Sequence, residues 1–262
     1  MSYDTLKREM IIDTHCHIQF KPLSNDLESV IHRAHEAGVG TMIVVGVDVE
    51  STMAAIKIAE DHDGIYAAVG LHPQDSKKLT GEMWKEFCEL AKHPKIVAIG
   101  ETGLDFFKEY SPRDVQIRVL KQHIKLAKEL NLPLIIHNRD SDEECLEILQ
   151  EKGVKDAVFH CFGSDVEFAR KVWMAGYFTS FTGIITYPSA KNLHAVVEEC
   201  PMDAMMVETD CPYLAPQKYR GGKNEPSYVV EVAKKIAELK GISYDDVSRI
   251  TSENANNFFK LS

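Results

Sequence analysis

Short apolar runs of strand length recur along the chain at intervals of roughly twenty to forty residues, and between them the apolar positions change to helical spacing. The runs fall near Met10–His15, Thr41–Val47, Ile65–Leu71, Ile96–Glu101, Leu134–His137, Ala157–His160, Tyr177–Phe181 and Ala204–Asp210. Strands alternating with helices predict successive βα units, and eight of them are what a closed parallel barrel requires. Three helices carry clear punctuation. Leu27, Val30, Ile31, Ala34 and Ala37 form one apolar stripe, ended by Gly38 where a left-handed cap is needed. Ser111-Pro112-Arg113-Asp114 opens another, with Ser111 as N-cap and Pro112 in the first turn, followed by Ile117, Leu120, Ile124, Ala127 and Leu130 on one face. Pro226 starts a third, with its stripe at Val229, Val232, Ala233, Ile236 and Leu239 and its stop at Gly241. Two short helices near Tyr244–Ile250 and Ser252–Phe259 are expected to cap the barrel. The expected architecture is an α/β TIM (β/α)8 barrel, with residues 1–262 as one domain and short C-terminal capping helices; a chain of 262 residues fits this size.

Composition narrows the class. Met1 to Glu9 is short and charged, and the longest apolar runs, such as Met42-Ile43-Val44-Val45, are only strand-sized. Neither export nor membrane insertion is expected, which implies a cytoplasmic protein with no membrane association. The six cysteines, Cys16, Cys88, Cys145, Cys161, Cys200 and Cys211, are scattered without a C-x-x-C pair, so they read as reduced packing residues rather than a disulfide framework. Cys16, Cys161 and Cys211 each follow a polar strand-end residue, and in extended strands they are expected to face away from it. The formal charge of −10 excludes binding nucleic acid through a broad basic surface, but not holding one phosphate at a time with bound cations.

The candidate chemistry sits at the C-terminal ends of the predicted strands. His15 and His17 in Asp13-Thr14-His15-Cys16-His17 are two residues apart, so a strand projects both imidazoles to one side. His72 lies in Gly70-Leu71-His72-Pro73, and Glu101 in Gly100-Glu101-Thr102-Gly103-Leu104-Asp105. His137, His160 and Asp210 end the later runs. In isolation His137 or His160 reads as a core histidine bonded to a carbonyl, and Glu101 or Asp210 as a helix cap. Together they share one rim of a parallel barrel, and burying so many ionisable groups there is costly unless cations neutralise them. His32, His35, His123 and His194 lie in helical segments and are expected to be surface or packing residues.

The runs DTHCH, GLHP, GETGLDF, LPLIIHNRD, FHCFGS, ETDCPYLAP and RGGKNEP, in this order and spacing from Asp13 to Asn254-Ala255, resemble the motifs of the TatD family of metal-dependent hydrolases within the amidohydrolase-like barrels. The resemblance implies a metal-dependent deoxyribonuclease, often a 3′ to 5′ exonuclease, acting on DNA as single strands or 3′ ends, with no obligatory protein partner evident. It further implies that His15, His17, Glu101 and Asp210 hold one divalent cation, and that Glu101, His137 and His160 hold a second. Lys95, the only lysine near this set, is at the wrong end of its strand to serve as a carboxylated bridge.

The expected chemistry is hydrolysis by two cations about 3.5–4 Å apart. Asp210 is the candidate general base, and His72 is either a donor to a phosphate oxygen or the attacking water, or a structural residue of the rigid turn that Pro73 makes. Arg139 and Arg220 are candidate phosphate clamps, with Lys223, Lys108 and Arg113 nearby; ion pairs with Asp105, Asp140 or Glu225 are their alternative role. Tyr213 and Phe162 either stack on a base or pack. Histidine-rich ligation favours Zn2+, Ni2+ or Co2+, whereas phosphoryl chemistry favours Mg2+ or Mn2+. Two other readings use the same residues: an amide or ester hydrolase of a small metabolite or aminoacyl-tRNA, and a catalytically silent metal-binding scaffold.

Overall fold

In the computed structural model, which describes residues 10–261, eight parallel strands alternate with helices; the charged Met1–Glu9 stretch lies outside the described residues. The order is β1 (Ile11–Cys16), α1 (Leu27–Glu36), β2 (Val39–Val45), α2 (Val49–Asp61), β3 (Ile65–Val69), α3 (Gly81–Leu90), β4 (Ile96–Asp105) and α4 (Arg113–Leu130). It continues with β5 (Leu134–Arg139), α5 (Asp142–Glu151), β6 (Ala157–Phe159), α6 (Val166–Met174), β7 (Phe178–Phe181), α7 (Lys191–Glu199), β8 (Met205–Val207), α8 (Val229–Lys240) and α9 (Tyr244–Phe259). The strands lie side by side in sequence order, and the expected TIM barrel is observed.

The strands are apolar on both faces, as a parallel sheet covered on both sides must be. One set, including Ile11, Val44, Val69, Ile136, Phe159 and Val207, packs beneath the surrounding helices. The other, including Ile12, Ile43, Ala68, Ala98, Ile135, Val158 and Met206, fills the barrel interior and meets Ala255, Phe258 and Phe259 of α9, which plugs the N-terminal end. The inward phase then turns polar toward the other end. Two residues beyond Ile135, Val158 and Met206 come His137, His160 and Glu208.

β1 and β4 do not keep a strict alternation. From the inward Ile12, period two would turn Thr14 and Cys16 inward, and from the outward Ile99 it would turn Glu101 outward. Register shifts between Asp13 and Cys16 and between Ile99 and Thr102 change the phase, so that His15, His17 and Glu101 face the barrel axis. Gly103 allows β4 to lie close to β5, since a Cβ there would stand 1.9 Å from the His137 carbonyl oxygen.

The β8–β1 seam closes largely through the polar segment. Thr14 Oγ1 donates to the Val207 carbonyl at 3.0 Å, the Asp210 amide to the His15 carbonyl at 2.9 Å, and the His17 amide to the Cys211 carbonyl at 2.8 Å. The Asp13 carboxylate accepts from the Thr209 amide at 2.9 Å and from its hydroxyl at 2.6 Å.

Two helix expectations are corrected. The C-terminal segment is one helix, α9, rather than two, because Thr251 Oγ1 donates to the Val247 carbonyl within the helix and Ser252 Oγ to the Met10 carbonyl outside it, leaving neither hydroxyl to break the turn. Ser111 is not the cap of α4, whose N-cap is Pro112; the hydroxyl instead donates to the Gln74 carbonyl and accepts from the Lys77 amide, tying this loop to the turn after β3.

His123 packs as expected, with its buried ring edge-on to Trp84 and Phe87 of α3. Nδ1 donates to the Val119 carbonyl, Nε2 has no partner, and burial pushes the imidazole down to about 4. The unfolded chain therefore binds a proton near pH 6.5 that the folded chain refuses until about pH 4, and stability falls as the pH is lowered through that window. His123→Phe is expected to remove up to about 3 kcal/mol of this acid-dependent loss, read as a flatter profile of urea-unfolding free energy between pH 6.5 and 4.

Candidate active site at the C-terminal rim

A cavity of about 680 Å³ opens at the C-terminal ends of the strands, and His17, His72, Glu101, His137, His160 and Asp210 all line it. His15, wholly buried, lies just beneath. Residues from β1, β4 and β5 and from the segments after β3, β6 and β8 are thereby brought together, as the strand-end pattern predicts.

Glu101 is the hub. Its Oε1 lies 2.7 Å from His137 Nδ1 and 2.9 Å from His160 Nε2, with His72 Nε2 at 3.6 Å. Its Oε2 faces the other way, 3.5 Å from His15 Nε2 and 3.8 Å from His17 Nε2. Asp210, held with φ of 53°, brings Oδ1 to 3.4 Å from His17 Nε2 and 3.7 Å from His15 Nε2. Burial alone raises a carboxylate, yet His160, His137 and His15 outweigh it and hold Glu101 well below the usual range. Asp210 is lowered in the same sense, its burial offset first by His17. His15 responds oppositely, pushed down by burial and by His160.

The donor set fits divalent cations. His15 Nε2 and His17 Nε2 lie 3.1 Å apart. His17 Nδ1 lies 2.8 Å from the Val45 carbonyl and must carry the proton it donates there, so the neutral ring turns a lone pair on Nε2 into the site. His15, Glu101 and His160 bring one ligand atom each within 4.8 Å of one another, as do His15, His17 and Asp210.

Two carboxylates that the sequence reading did not assign to the site complete it. Asp105 Oδ2 is 3.1 Å from His137 Nε2 and also accepts from the Phe107 amide through Oδ1. Glu208, wholly buried, places Oε1 3.4 Å from His160 Nδ1 without the alignment of a hydrogen bond, and accepts from the Cys161 amide at 2.6 Å and the Ser180 hydroxyl at 2.5 Å. Each steadies the far side of an imidazole whose near side faces Glu101. Glu208 was available from the inward phase of Met206, whereas Asp105 lies in a segment whose phase the β4 irregularity obscures.

His72 accepts from the Gln74 amide on Nδ1 at 3.2 Å, which leaves its proton on Nε2, toward Glu101. Burial pushes this imidazole down to about 4, so it is a neutral donor near pH 7. Arg139 lines the cavity, but its guanidinium lies over the Phe107 ring, 3.8 Å from the centroid, rather than against a carboxylate. Arg220 is exposed, over Tyr187, and is not among the cavity-lining residues. Glu225, expected as a partner of these arginines, instead takes Arg33 of α1 bidentately at 2.7–3.0 Å. Its neighbour Asn224 clamps the loop after β8 by donating to the Thr209 and Tyr213 carbonyls, so within RGGKNEP it is Asn224 that holds the Asp210 loop. Phe162 packs on Phe168, while Tyr213 stays exposed at the cavity edge. Cys16 faces away from the site, donating to the Ile43 carbonyl. Cys161 does not: β6 ends at Phe159, and with φ of 46° Cys161 turns into the cavity lining.

Asp13 anchors this region from below. Asp13→Ala strands the Thr209 amide and is expected to cost roughly 2–4 kcal/mol in urea unfolding of metal-free protein. Asp13→Asn, which keeps an acceptor, is expected to recover part of that loss.

The family described as TatD related DNase matches residues 12–260. The "Uncharacterized metal-dependent hydrolase YabD" of Bacillus subtilis is 44% identical over 254 residues, covering 96% of this chain and 100% of its own. The "Uncharacterized metal-dependent hydrolase TatD" of Mycobacterium tuberculosis is 35% identical, covering 96% and 98%. Among solved structures, the TatD homologue YJJV of Escherichia coli superposes with a TM-score of 0.92 at 30% identity, over 96% of this chain and 98% of that one. A match along nearly the whole length, and a barrel that gathers the expected side chains at one rim, place the chain in the TatD family of metal-dependent hydrolases.

Proposed function

We propose that this hydrolase is a deoxyribonuclease that removes nucleotides from 3′ ends of single-stranded DNA with two divalent cations. The observation that carries the reading is the splayed coordination of Glu101, whose two oxygens face two different imidazole pairs, His137 with His160 and His15 with His17. One carboxylate is thus poised to bridge two ions. His15, His17, Glu101 and Asp210 would hold the first, and Glu101, His137 and His160 the second. Mg2+ or Mn2+ is the proposed activating ion, with Zn2+, Ni2+ or Co2+ able to occupy the same nitrogens. The description of the matched family supports DNA as substrate.

When bound, the cations would supply Lewis-acid polarisation of the phosphoryl oxygens and would acidify the attacking water. Asp210, at the cavity wall, takes the proton of the attacking water as its oxygen adds to phosphorus. The bond from phosphorus to the 3′ oxygen of the preceding sugar breaks, and that oxygen leaves as a hydroxyl by taking the proton from Asp210, which returns to its carboxylate form. The Nε2–H of His72 donates to a non-bridging phosphoryl oxygen, an assignment that rests on its tautomer. Arg139 neutralises a flanking phosphate from the cavity wall. Arg220, set apart over Tyr187, contributes only to a strand that reaches beyond the cavity.

With Mg2+ or Mn2+, purified protein is expected to release mononucleotides from single-stranded DNA, and His160→Ala or Asp210→Asn to lower kcat by roughly 10²–10⁴-fold. No nucleotide release, together with turnover of amides or carboxyl esters, would overturn the nuclease assignment. Elemental analysis gives a second check. Replacing both His15 and His17 by Ala is expected to lower bound metal from two ions per chain toward one while circular dichroism stays unchanged; unaltered stoichiometry would refute the ligand assignment.

A further inference from the structure

Outside the cavity, the loop between β4 and α4 carries a feature that hydrolysis itself does not use. Phe107 and Tyr110 are 52% and 60% exposed, two large rings turned to water within four residues. The loop that displays them is tied down. The Phe106 amide donates to the Arg139 carbonyl and the Phe107 amide to Asp105 Oδ1, while the Tyr110 amide donates to Gln74 Oε1 and the Ser111 hydroxyl to the Gln74 carbonyl. One face of Phe107 is covered by the guanidinium of Arg139, itself part of the cavity wall, and Lys108 Nζ stands 5.8 Å from the same ring. At the other end, Gln74 adjoins Asp75, which also lines the cavity. The acid within the loop, Glu109, is taken up by Arg113 at 2.6 Å.

We propose that Phe107, Tyr110, Lys108 and Arg139 form a stacking track that holds the single strand leading away from the reacting 3′ end. The inference rests on the nuclease reading and adds to it the path of the substrate. Aromatic faces interleaved with cations are what unstacked nucleic acid binds without regard to sequence, since every base has a π face and every linkage a negative charge. On a chain of formal charge −10, such a local pairing of rings and cations selects a polyanion that also carries flat apolar groups. A folded protein partner offers the charge without the row of planar faces. Arg139 would then serve both places, its guanidinium stacked on Phe107 while its edge faces the phosphate at the cavity mouth.

Length dependence tests this. In wild type, KM for 5′-labelled oligothymidylate with Mg2+ or Mn2+ is expected to fall from the dinucleotide to the 20-mer, because only the longer strand reaches the track. In the double variant Phe107→Ala/Tyr110→Ala, KM for the 20-mer is expected to rise about tenfold or more, from the loss of two stacked bases, with kcat within about twofold and KM for the dinucleotide nearly unchanged. Lys108→Glu should weaken the 20-mer selectively and reduce the salt dependence of its binding. An unchanged KM for the 20-mer, or equal losses for both lengths, overturns the track. Fluorescence anisotropy of the labelled 20-mer with chelated protein separates the two readings: binding that the double variant weakens upholds the track even where no cleavage is seen, binding that it leaves intact overturns it, and absence of cleavage by wild type counts against the nuclease reading.

Discussion

A carboxylate enclosed by five imidazoles is the constraint around which this barrel is arranged. Glu101 meets His137 and His160 through one oxygen, with His72 further off on the same side, and His15 and His17 through the other. Burying a carboxylate in an apolar barrel is costly, and protonated imidazoles or bound cations are the two ways to offset it. Glu101 sits well below its usual range while His160, despite its burial, is held well above its own by Glu101 and Glu208. A metal-dependent hydrolase calls on the second. Wherever histidines hold a metal, proton and cation compete for the same lone pairs, so such binding releases protons.

The rest of the fold can be followed outward from that centre. β5 and β6 deliver His137 and His160 by plain alternation from Ile135 and Val158. β1 and β4 deliver His15, His17 and Glu101 only because each changes phase at a register shift, a common use of irregular strands beside a functional site. Behind the imidazoles stand Asp105 and Glu208, and beneath them Asp13 ties β1 to Thr209 beyond β8. At this seam closing the barrel and placing Asp210 are one event, since the Asp210 amide bonds the His15 carbonyl. Among the described residues the opposite end of the interior is filled by apolar side chains and plugged by α9, so the histidines and carboxylates of the interior face the other way.

Charge distribution follows the same logic at a larger scale. The chain is acidic overall, yet the wall of the cavity on the β5 side carries Arg139 and leads to a loop bearing Lys108 and two exposed rings. Arginine on an aromatic face keeps its edge available for hydrogen bonds, which a buried ion pair with Asp105 would have consumed. Asp105 is engaged by His137 and the Phe107 amide instead. Glu225 is likewise withdrawn from the rim by Arg33, and in that pairing it fixes the loop after β8 against α1.

The sequence by itself determined the barrel and the identity of its rim residues. Eight strand-length apolar runs separated by helical stripes admit few other folds, and polar residues at strand ends share one rim in any parallel barrel. Helix punctuation was legible where a local rule suffices, as at Gly38 and Gly241, and misleading at Ser111, whose hydroxyl was claimed by Gln74 and Lys77 from a distant turn. Only the tertiary structure decided the phase of β1 and β4, the turn of Cys161 into the cavity, the partners of Glu225 and Arg139, and the supporting places of Asp105 and Glu208. Each of these depends on which backbone or ring lies across a gap of many residues. Side-chain alternation is a local property that sequence carries, whereas register shifts and competition for hydrogen-bond partners are set by neighbouring strands, which meet only once the barrel closes.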